Sequence, residues 1–411
     1  MTTTPDFIPV LLGANATAYG FARSFFEAFG VISQAVALRS YPICEESAVV
    51  SLAAIDANLT DDAVFLRVLQ ELADSAEWAG RTLLLVPTEN IYARLLARHA
   101  HELSDRYHFA ISGDEVVRQV ATKDCFYRLC ARQGLAVPDY QVIAHATHPE
   151  DCRLSFPVIL KPDDPDAFAR CVYRGKKNAY EIRTQAELDY ALSCAAKAGF
   201  DGAMLVQREC AGADDALRTV TCYRNAQGMV SLYCQGDVIL ELASPWGIGH
   251  FGAVVAGSDE GLRLQIESLL AGLDYHGFCN IDVKTDAQTG AAVFLDFNVS
   301  PCDTSFLATV AGANLSIALV DDVLGRISGA SQSVQAESAL LSQIPESTIR
   351  QYARKLAIWD RVRLFLEGKK VTGLFDPPYD QNFKRWKAYK SDQHFHRREF
   401  ADCYGRNHVN D

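Results

Sequence analysis

The sequence predicts a chain of mixed α/β and α+β class, with an N-terminal parallel-sheet domain, two following α+β subdomains and a helical C-terminal extension. Three observations carry this. Over the first ~115 residues, short apolar runs alternate with amphipathic helical patterns, as parallel strands with crossover helices do. From residue 121 strands pair through tight turns and mix with helices. From Glu346 the pattern becomes helical and ends in a basic, aromatic stretch.

In order, Val10-Leu11-Leu12 reads as a strand closed by Gly13. Ala16 to Phe29 sets Phe21, Phe25 and Phe29 four residues apart, one helical face, with Gly30 as the stop. Ala35–Leu38 and Leu83–Val86 are further strands, and Glu89–Leu103 is a helix with Ile91, Leu95 and Leu103 on one face. Thr122 caps a helix from Lys123 to Gln133, ended by Gly134. Pro157–Leu160 is a strand, and Thr184 with Glu187 forms a capping box. Leu217–Glu241 alternates as two strands around a turn at Asn225-Ala-Gln-Gly228. Gly261–Gly272 is a helix, and Phe278–Asn298 is a hairpin turning through Asp286 to Gly290. The Ser-, Ala- and Gln-rich stretch 329–345 reads as a linker. The expected domains are 1–120, 121–328 (divided at 202/203) and 346–411.

Composition narrows the function. The chain has 411 residues, 49% hydrophobic and 22% charged, which supports a packed core. A net charge of −12 argues against sequence-independent nucleic-acid binding, which needs a broad cationic surface. None of the twelve cysteines forms a CxxC pair, so they are expected to be reduced and mostly buried. Neither a signal-peptide pattern nor an 18-residue apolar run is present, so a cytoplasmic protein with no membrane span is expected.

The most informative chemistry lies in Gly277-Phe-Cys-Asn-Ile-Asp-Val-Lys284 and Val293-Phe-Leu-Asp-Phe-Asn-Val-Ser-Pro301. Side chains alternate across a strand. Ile281 and Val283 therefore share one face, and Asn280, Asp282 and Lys284 the other. On the second strand Val293, Leu295 and Phe297 point to the core, leaving Asp296, Asn298 and Phe294 opposite. Asp282, Asp296 and Asn298 converge, and three hard oxygen donors on a rigid hairpin suit Mg²⁺. Two adjacent carboxylates repel, so a cation or lysine must compensate.

Upstream, Lys123 opens a helix and Lys161 ends a strand, where a buried ammonium is costly unless an anion meets it. Leu205-Val-Gln-Arg-Glu-Cys-Ala-Gly-Ala-Asp-Asp215 is a strand running into a polar turn. Its backbone can hydrogen-bond a planar base, and Asp214 or Asp215 can accept from ribose hydroxyls. Gly247-Ile-Gly-His-Phe-Gly252 matches GxGxxG but lacks the strand before and the helix after that a dinucleotide turn requires. It reads as a loop near substrate.

Taken in order, these pieces resemble the ATP-grasp superfamily over roughly residues 8–325. The residues are Lys123, "PVILKP" with Lys161, "LVQREC", "NIDVK" and "LDFNVSP". Within it, "AYGFARSFFEAFGV" (18–31), "VPTENIYARLL" (86–96), "TKDCFYRLCARQGLAVP" (122–138) and "RGKKNAYEIRTQAEL" (174–188) look most like the D-aspartate ligase group of carboxylate–amine ligases. The resemblance implies a Rossmann-like domain before a two-subdomain ATP-grasp fold. It implies that Lys123 and Lys161 bind the α- and β-phosphates of ATP, and that Gln207, Arg208, Glu209 and Cys210 line the adenine hinge. Asp214 or Asp215 would hold the ribose, Asp282, Asp296 and Asn298 would hold Mg²⁺, and segment 163–180 would be a mobile loop over the phosphates.

The implied reaction joins a small carboxylic acid to an amine through an acyl phosphate, releasing ADP and phosphate. D-aspartate and an anionic cell-wall precursor are the substrates the subgroup suggests. Another substrate pair, or a non-catalytic nucleotide-binding module, is the alternative, and a homodimer is left open. The family pattern Glu-x-Asn-Pro-Arg reads Asp296-Phe-Asn-Val-Ser300 here. A cation must replace the missing arginine, with Arg218, Arg224 and Lys284 as candidates. Lys284 and Arg218 are taken as the catalytic pair. Arg23, about two turns into the first helix, reads either as pointing into the cleft to contact a non-nucleotide substrate or as a solvated residue, with Gly13 and Gly20 only permitting tight packing. The basic stretch Lys384–Arg398 is expected to be a surface helix, with contact to an anionic cell-wall precursor or to nucleic acid as the alternatives.

Overall fold

The computed structural model describes residues 6–146, 151–325, 332–333 and 338–407. Three sheets organise them. The first is parallel, with strands β1 (Phe7–Leu12), β2 (Ser33–Ala37), β3 (Val50–Ile55) and β4 (Thr82–Pro87) in the order β3-β2-β1-β4. Helices α1 (Ala16–Phe29), α2 (Asp62–Ala73) and α3 (Asn90–Arg98) connect or follow them. The strands of a parallel sheet are buried on both faces, and β1 reads accordingly: Val10 and Leu12 enter the cluster under α2 and α3, and Leu11 packs with Phe21 and Phe25 of α1. The Asn15 side chain caps α1 by accepting from the Ala18 N–H at 3.0 Å, and Gly30, at φ 66°, ends it.

The second sheet is antiparallel and small: β5 (Tyr140–Ile143), β6 (Val158–Pro162), β7 (Tyr180–Ile182) and β8 (Met204–Arg208), ordered β5-β8-β6-β7. Helix Lys123–Arg132 leads into it, and helix Gln185–Lys197 packs on it through Leu188 and Leu192. The third sheet is the largest. Its strands are β9 (Leu217–Arg224), β10 (Val230–Glu241), β11 (Phe251–Gly257), β12 (Gly277–Thr285), β13 (Ala292–Asn298), β14 (Gln332–Ser333), β15 (Leu340–Ser342) and β16 (Val371–Gly373). The order is β13-β12-β9-β10-β11-β15-β16, with β14 beside β10.

Three features differ from the sequence expectation. Residues 340–342, expected within the linker, form a buried strand between β11 and β16; the rest of 329–345 lies partly outside the described residues. The basic C-terminal stretch forms a surface helix, Phe383–Asn407, with Lys384, Lys387, Lys390, Arg397 and Arg398 exposed as expected, but its other face is docked. Its Arg385, Gln393, His396, Glu399 and Phe400 are buried. Gln393 donates to the Gln343 carbonyl, and Glu399 accepts from the Ser244 N–H, both at 2.7 Å. Arg23 points away from the cleft: its guanidinium donates to the Gly373 and Leu374 carbonyls at 2.8 Å and stacks on Phe306. All twelve cysteines are free thiols, as expected. Among the described residues, no single helix is long and apolar enough to cross a membrane.

Candidate active site

A cavity of about 1500 Å³ lies where the three sheets meet. Its floor is built from two backbone events. Helix Lys123–Arg132 begins against the end of β6: the Lys123 N–H donates to the Asp163 carbonyl at 3.1 Å, and Asp163 Oδ1 accepts from the Asp124 N–H at 2.7 Å. This brings Lys123 beside Lys161 on β6. Facing them is the β12–β13 hairpin, where Asp282 lies directly opposite Asp296 and Asn280 opposite Asn298.

The register carries one surprise. A bulge between the Asp282/Asp296 and Val283/Phe294 pairs inserts Leu295 as the extra residue. Phe294, expected beside the acids, is fully buried in the core with Val283, and Leu295 lines the cavity instead. The three proposed ligands remain on the cavity side. Strict alternation failed here because it assumes an unbroken ladder.

Charge in the floor is uneven. Lys123 Nζ lies 2.5 Å from Asp296 Oδ2. Burial works to raise the Asp296 carboxyl, but Lys123 and Lys161 hold it below the usual range. Asp282 accepts from Asn280 Nδ2 at 3.1 Å but has no lysine in contact, and burial and then Asp296 outweigh Lys123 and push it up to about 7. Lys161 is pushed down to about 7 by burial and by Lys123. Its ammonium donates to the Tyr127 hydroxyl at 3.0 Å, and that hydroxyl in turn reaches Gln207 Oε1 at 3.0 Å and the Leu295 carbonyl. Asn298 Oδ1 accepts from Asn90 Nδ2 at 2.7 Å, and Ser300, where the family pattern has arginine, donates to Asn90 Oδ1 at 3.0 Å.

The oxygen set fits a hard divalent cation. Asp282 and Asp296 oppose one another, and only Asp296 has a lysine in direct ion-pair contact, which leaves the Asp282 carboxylate open to a cation. The lysines Lys123 and Lys161 fit an anion on the other side.

The remaining candidates divide. Gln207, Glu209, Cys210 and Lys284 line the cavity. Arg208 turns outward and pairs with Asp139 at 3.2 Å. Asp214 is buried below the wall, where Oδ2 accepts from the Glu241 N–H at 3.0 Å. Asp215 Oδ2 accepts from the Ile358 N–H. Neither aspartate reaches the cavity, because the turn that carries them is tucked against β10 and the Ile358 segment. Arg218 is held by Asp237 at 3.0 Å and by the Asp215 carbonyl, and Arg224 by Asp274 and the Tyr275 carbonyl, so both point elsewhere. Of the cations considered for the missing arginine, Lys284 alone lines the cavity.

Several cavity residues escaped sequence reasoning. Glu89 and Asn90 come from the parallel-sheet domain, Glu241 from β10, and Tyr389, Asp392 and Phe395 from the C-terminal helix. Glu241 is pushed up to about 8 by burial and Asp214. Glu89 and Asn90 had a visible signal, lying inside "VPTENIYARLL", and Tyr389, Asp392 and Phe395 lie inside the basic stretch Lys384–Arg398. Residues 242–250 join β10 to β11, and Ile248, Gly249 and His250 line the cavity, while Phe251 and Gly252 already belong to β11. Segment 163–180 is clasped to that loop: Asn178 Nδ2 donates to the Trp246 carbonyl at 2.6 Å, and its backbone N–H donates to the Pro245 carbonyl at 3.1 Å.

A small antiparallel sheet facing a larger one across a single cleft is the arrangement of the ATP-grasp fold, and solved structures share that fold. N5-carboxyaminoimidazole ribonucleotide synthetase in an ADP complex superposes with a TM-score of 0.59 at 13% identity, covering 89% of this chain and 87% of that one. L-amino acid ligase from Bacillus licheniformis does so with a TM-score of 0.56 at 13% identity, covering 80% and 78%. In sequence, the chain is similar to D-aspartate ligase from Enterococcus faecium (strain Aus0004), 28% identical over 402 residues and 94% of each chain. This meets the likeness expected for that group. No family model matches the chain.

Proposed function

We propose that the protein is an ATP-dependent carboxylate–amine ligase that activates a small carboxylic acid as an acyl phosphate and passes the acyl group to an amine, with release of ADP and phosphate. D-aspartate is the proposed acid, on the likeness to D-aspartate ligase, and an amine of a cell-wall precursor the proposed acceptor. One observation carries the reading: two lysines and two carboxylates with an amide face each other across one cavity. Neither set is satisfied alone, and a magnesium nucleotide would satisfy both.

In this reading Lys123 and Lys161 bind phosphate oxygens, with Tyr127 orienting Lys161. Asp282, Asp296 and Asn298 hold Mg²⁺, which neutralises charge on the phosphates. Gln207, Glu209 and Cys210 border the base, and Lys284 stands as the cation in place of the missing arginine. Phosphoryl transfer asks for charge neutralisation and positioning more than covalent help. The clasp between Asn178 and loop 245–248 supports exclusion of water, which would otherwise hydrolyse the acyl phosphate.

The test is ADP release across a panel of carboxylic acids, D-aspartate included, with and without amine acceptors. Release that requires both an acid and an amine supports a ligase. Nucleotide binding with no acid- or amine-dependent release defeats it in favour of a binding module.

A further inference from the structure

The parallel-sheet domain presents one carboxylate to the cavity, that of Glu89. It lies where β4 hands over to α3, at the carboxyl end of the sheet, where open α/β sheets take ligands. Its position is built. Gly13, at φ 126°, ends β1 directly beneath it, and a Cβ there would come within 2.9 Å of Glu89 Oε1 and 2.3 Å of Thr88 Oγ1. The bare glycine lets Thr88 bond the Leu12 carbonyl at 2.8 Å and lets the Glu89 carboxylate lie over the strand end.

Glu89 is the N-cap residue of α3, yet its side chain makes no capping bond. No hydrogen-bond partner for that carboxylate occurs among the described residues. Burial, and then Asp166, push it up to about 7. The neighbouring cations are committed elsewhere: Arg94 to Asp164 at 2.9 Å, and Arg39 to the Tyr41 hydroxyl at 2.9 Å. Asp166 Oδ2 is itself buried without a hydrogen bond. Arg94 lies 3.7 Å from that oxygen and is shared between Asp164 and Asp166, and Arg39 acts on Glu89 only from a distance, so among the described residues no cation forms an ion pair with the Glu89 carboxylate. The next residue, Asn90, is bonded to Asn298 of the proposed metal set, so a group held by Glu89 lies beside the phosphate end of the cavity.

We propose that Glu89 binds the ammonium group of a non-nucleotide substrate, either that of an amino-acid carboxylate donor or that of the acceptor. The assignment rests on the ligase reading and adds to it the residue that selects for an amine. A charge-assisted hydrogen bond of this kind changes affinity by about 10- to 100-fold.

The experiment is calorimetric binding to wild type and Glu89→Gln, each with Mg²⁺ and a non-hydrolysable ATP analogue. The probes are D-aspartate, succinate as its counterpart without the ammonium, and Nα-acetyl-lysine with norleucine derivatised in the same way as its amine-free control. Wild type is expected to prefer one amine-bearing probe over its control by about tenfold or more. Glu89→Gln is expected to erase that preference, with nucleotide affinity unchanged within twofold, and Glu89→Asp to keep part of it. Loss on D-aspartate assigns the donor ammonium; loss on acetyl-lysine assigns the acceptor. Absence of preference in wild type, an intact preference in Glu89→Gln, or a parallel fall in nucleotide affinity overturns the proposal. ADP release is measured on the same proteins. A preference that Glu89→Gln erases, without turnover by wild type, defeats the ligase reading alone. Turnover with an unaltered preference defeats the Glu89 assignment alone.

Discussion

Lys161 is held in a setting that favours its neutral form, and this has two measurable consequences. Its folded value of about 7 lies below the ordinary lysine value of about 10.4, so between these the unfolded chain binds the extra proton. Its contribution therefore raises stability as pH climbs through that window. Lys161→Met is expected to unfold at equal or higher temperature than wild type at pH 7, and to flatten the rise in melting temperature above pH 7. In the same variant, affinity for ATP should fall by more than the ~10-fold typical of one charge-assisted contact. A large loss of melting temperature with intact nucleotide affinity would reveal a structural lysine instead. On the opposite wall, Asp282→Asn and Asp296→Asn each remove a proposed ligand charge. Each should slow ADP release by more than the ~10–100-fold cost of altering an outer partner of a metal site, with the circular dichroism spectrum retained. Wild-type turnover by a folded Asp296→Asn protein would remove the metal assignment. These residues were legible in the sequence because an element end, for Lys161, or strand alternation, for the two aspartates, set each charge where burial penalises it. Asp214, Asp215 and Arg218 carried the same residue chemistry, and the turn's packing, which no local pattern encodes, decided that they face away.

At the scale of elements, the hairpin β12–β13 was readable down to its facing acids, and the error at Phe294 came from a single inserted residue. A one-residue shift moves every side chain beyond it to the other face. The C-terminal helix is the surface helix its charge suggested, and its docked face was missed for a different reason. Its six lysines and arginines between Lys384 and Arg398 suggested a solvated surface. Yet Arg385 is buried against Asp380 at 3.1 Å, with Asp380 also accepting from Tyr19 at 2.8 Å and Ser47 at 2.7 Å. Long-range partners of this kind leave no periodicity to read. Removing one member of a buried pair strands the other, at about 3–5 kcal/mol. Asp380→Ala should therefore lower the free energy of unfolding by that amount, read as a lower urea midpoint at unchanged m, and should expose the helix 383–407 to proteolysis first. An unchanged midpoint would show that the pair holds little of the helix in place.

Across the whole molecule, the cavity is shared by every part of the chain, from Asn15 to Phe395. The order of motifs disclosed the fold, because each ATP-grasp element was recognisable on its own strand or helix. The bridge from Asn90 to Asn298 was not disclosed, since it joins positions 208 residues apart. Asn90→Ala should lower ADP release by about 10–100-fold while sparing the melting temperature, as an orienting partner does. A stability loss with unchanged turnover would make it a domain tie only. Arg23 has a consequence of another kind. Its carbonyl partners, Gly373 and Leu374, lie some 350 residues downstream, and Tyr19 waits equally long for Asp380. During synthesis at about 5–20 residues per second, helix α1 leaves the ribosome many seconds before the segment that satisfies its outer face. Until then a guanidinium destined for burial and the aromatic ring of Phe26, which later packs on Tyr379, stay open to solvent. A chain that stalls before residue 373 thus displays an unfinished N-terminal domain, a mark by which chaperones and proteases can tell a truncated product from a complete one.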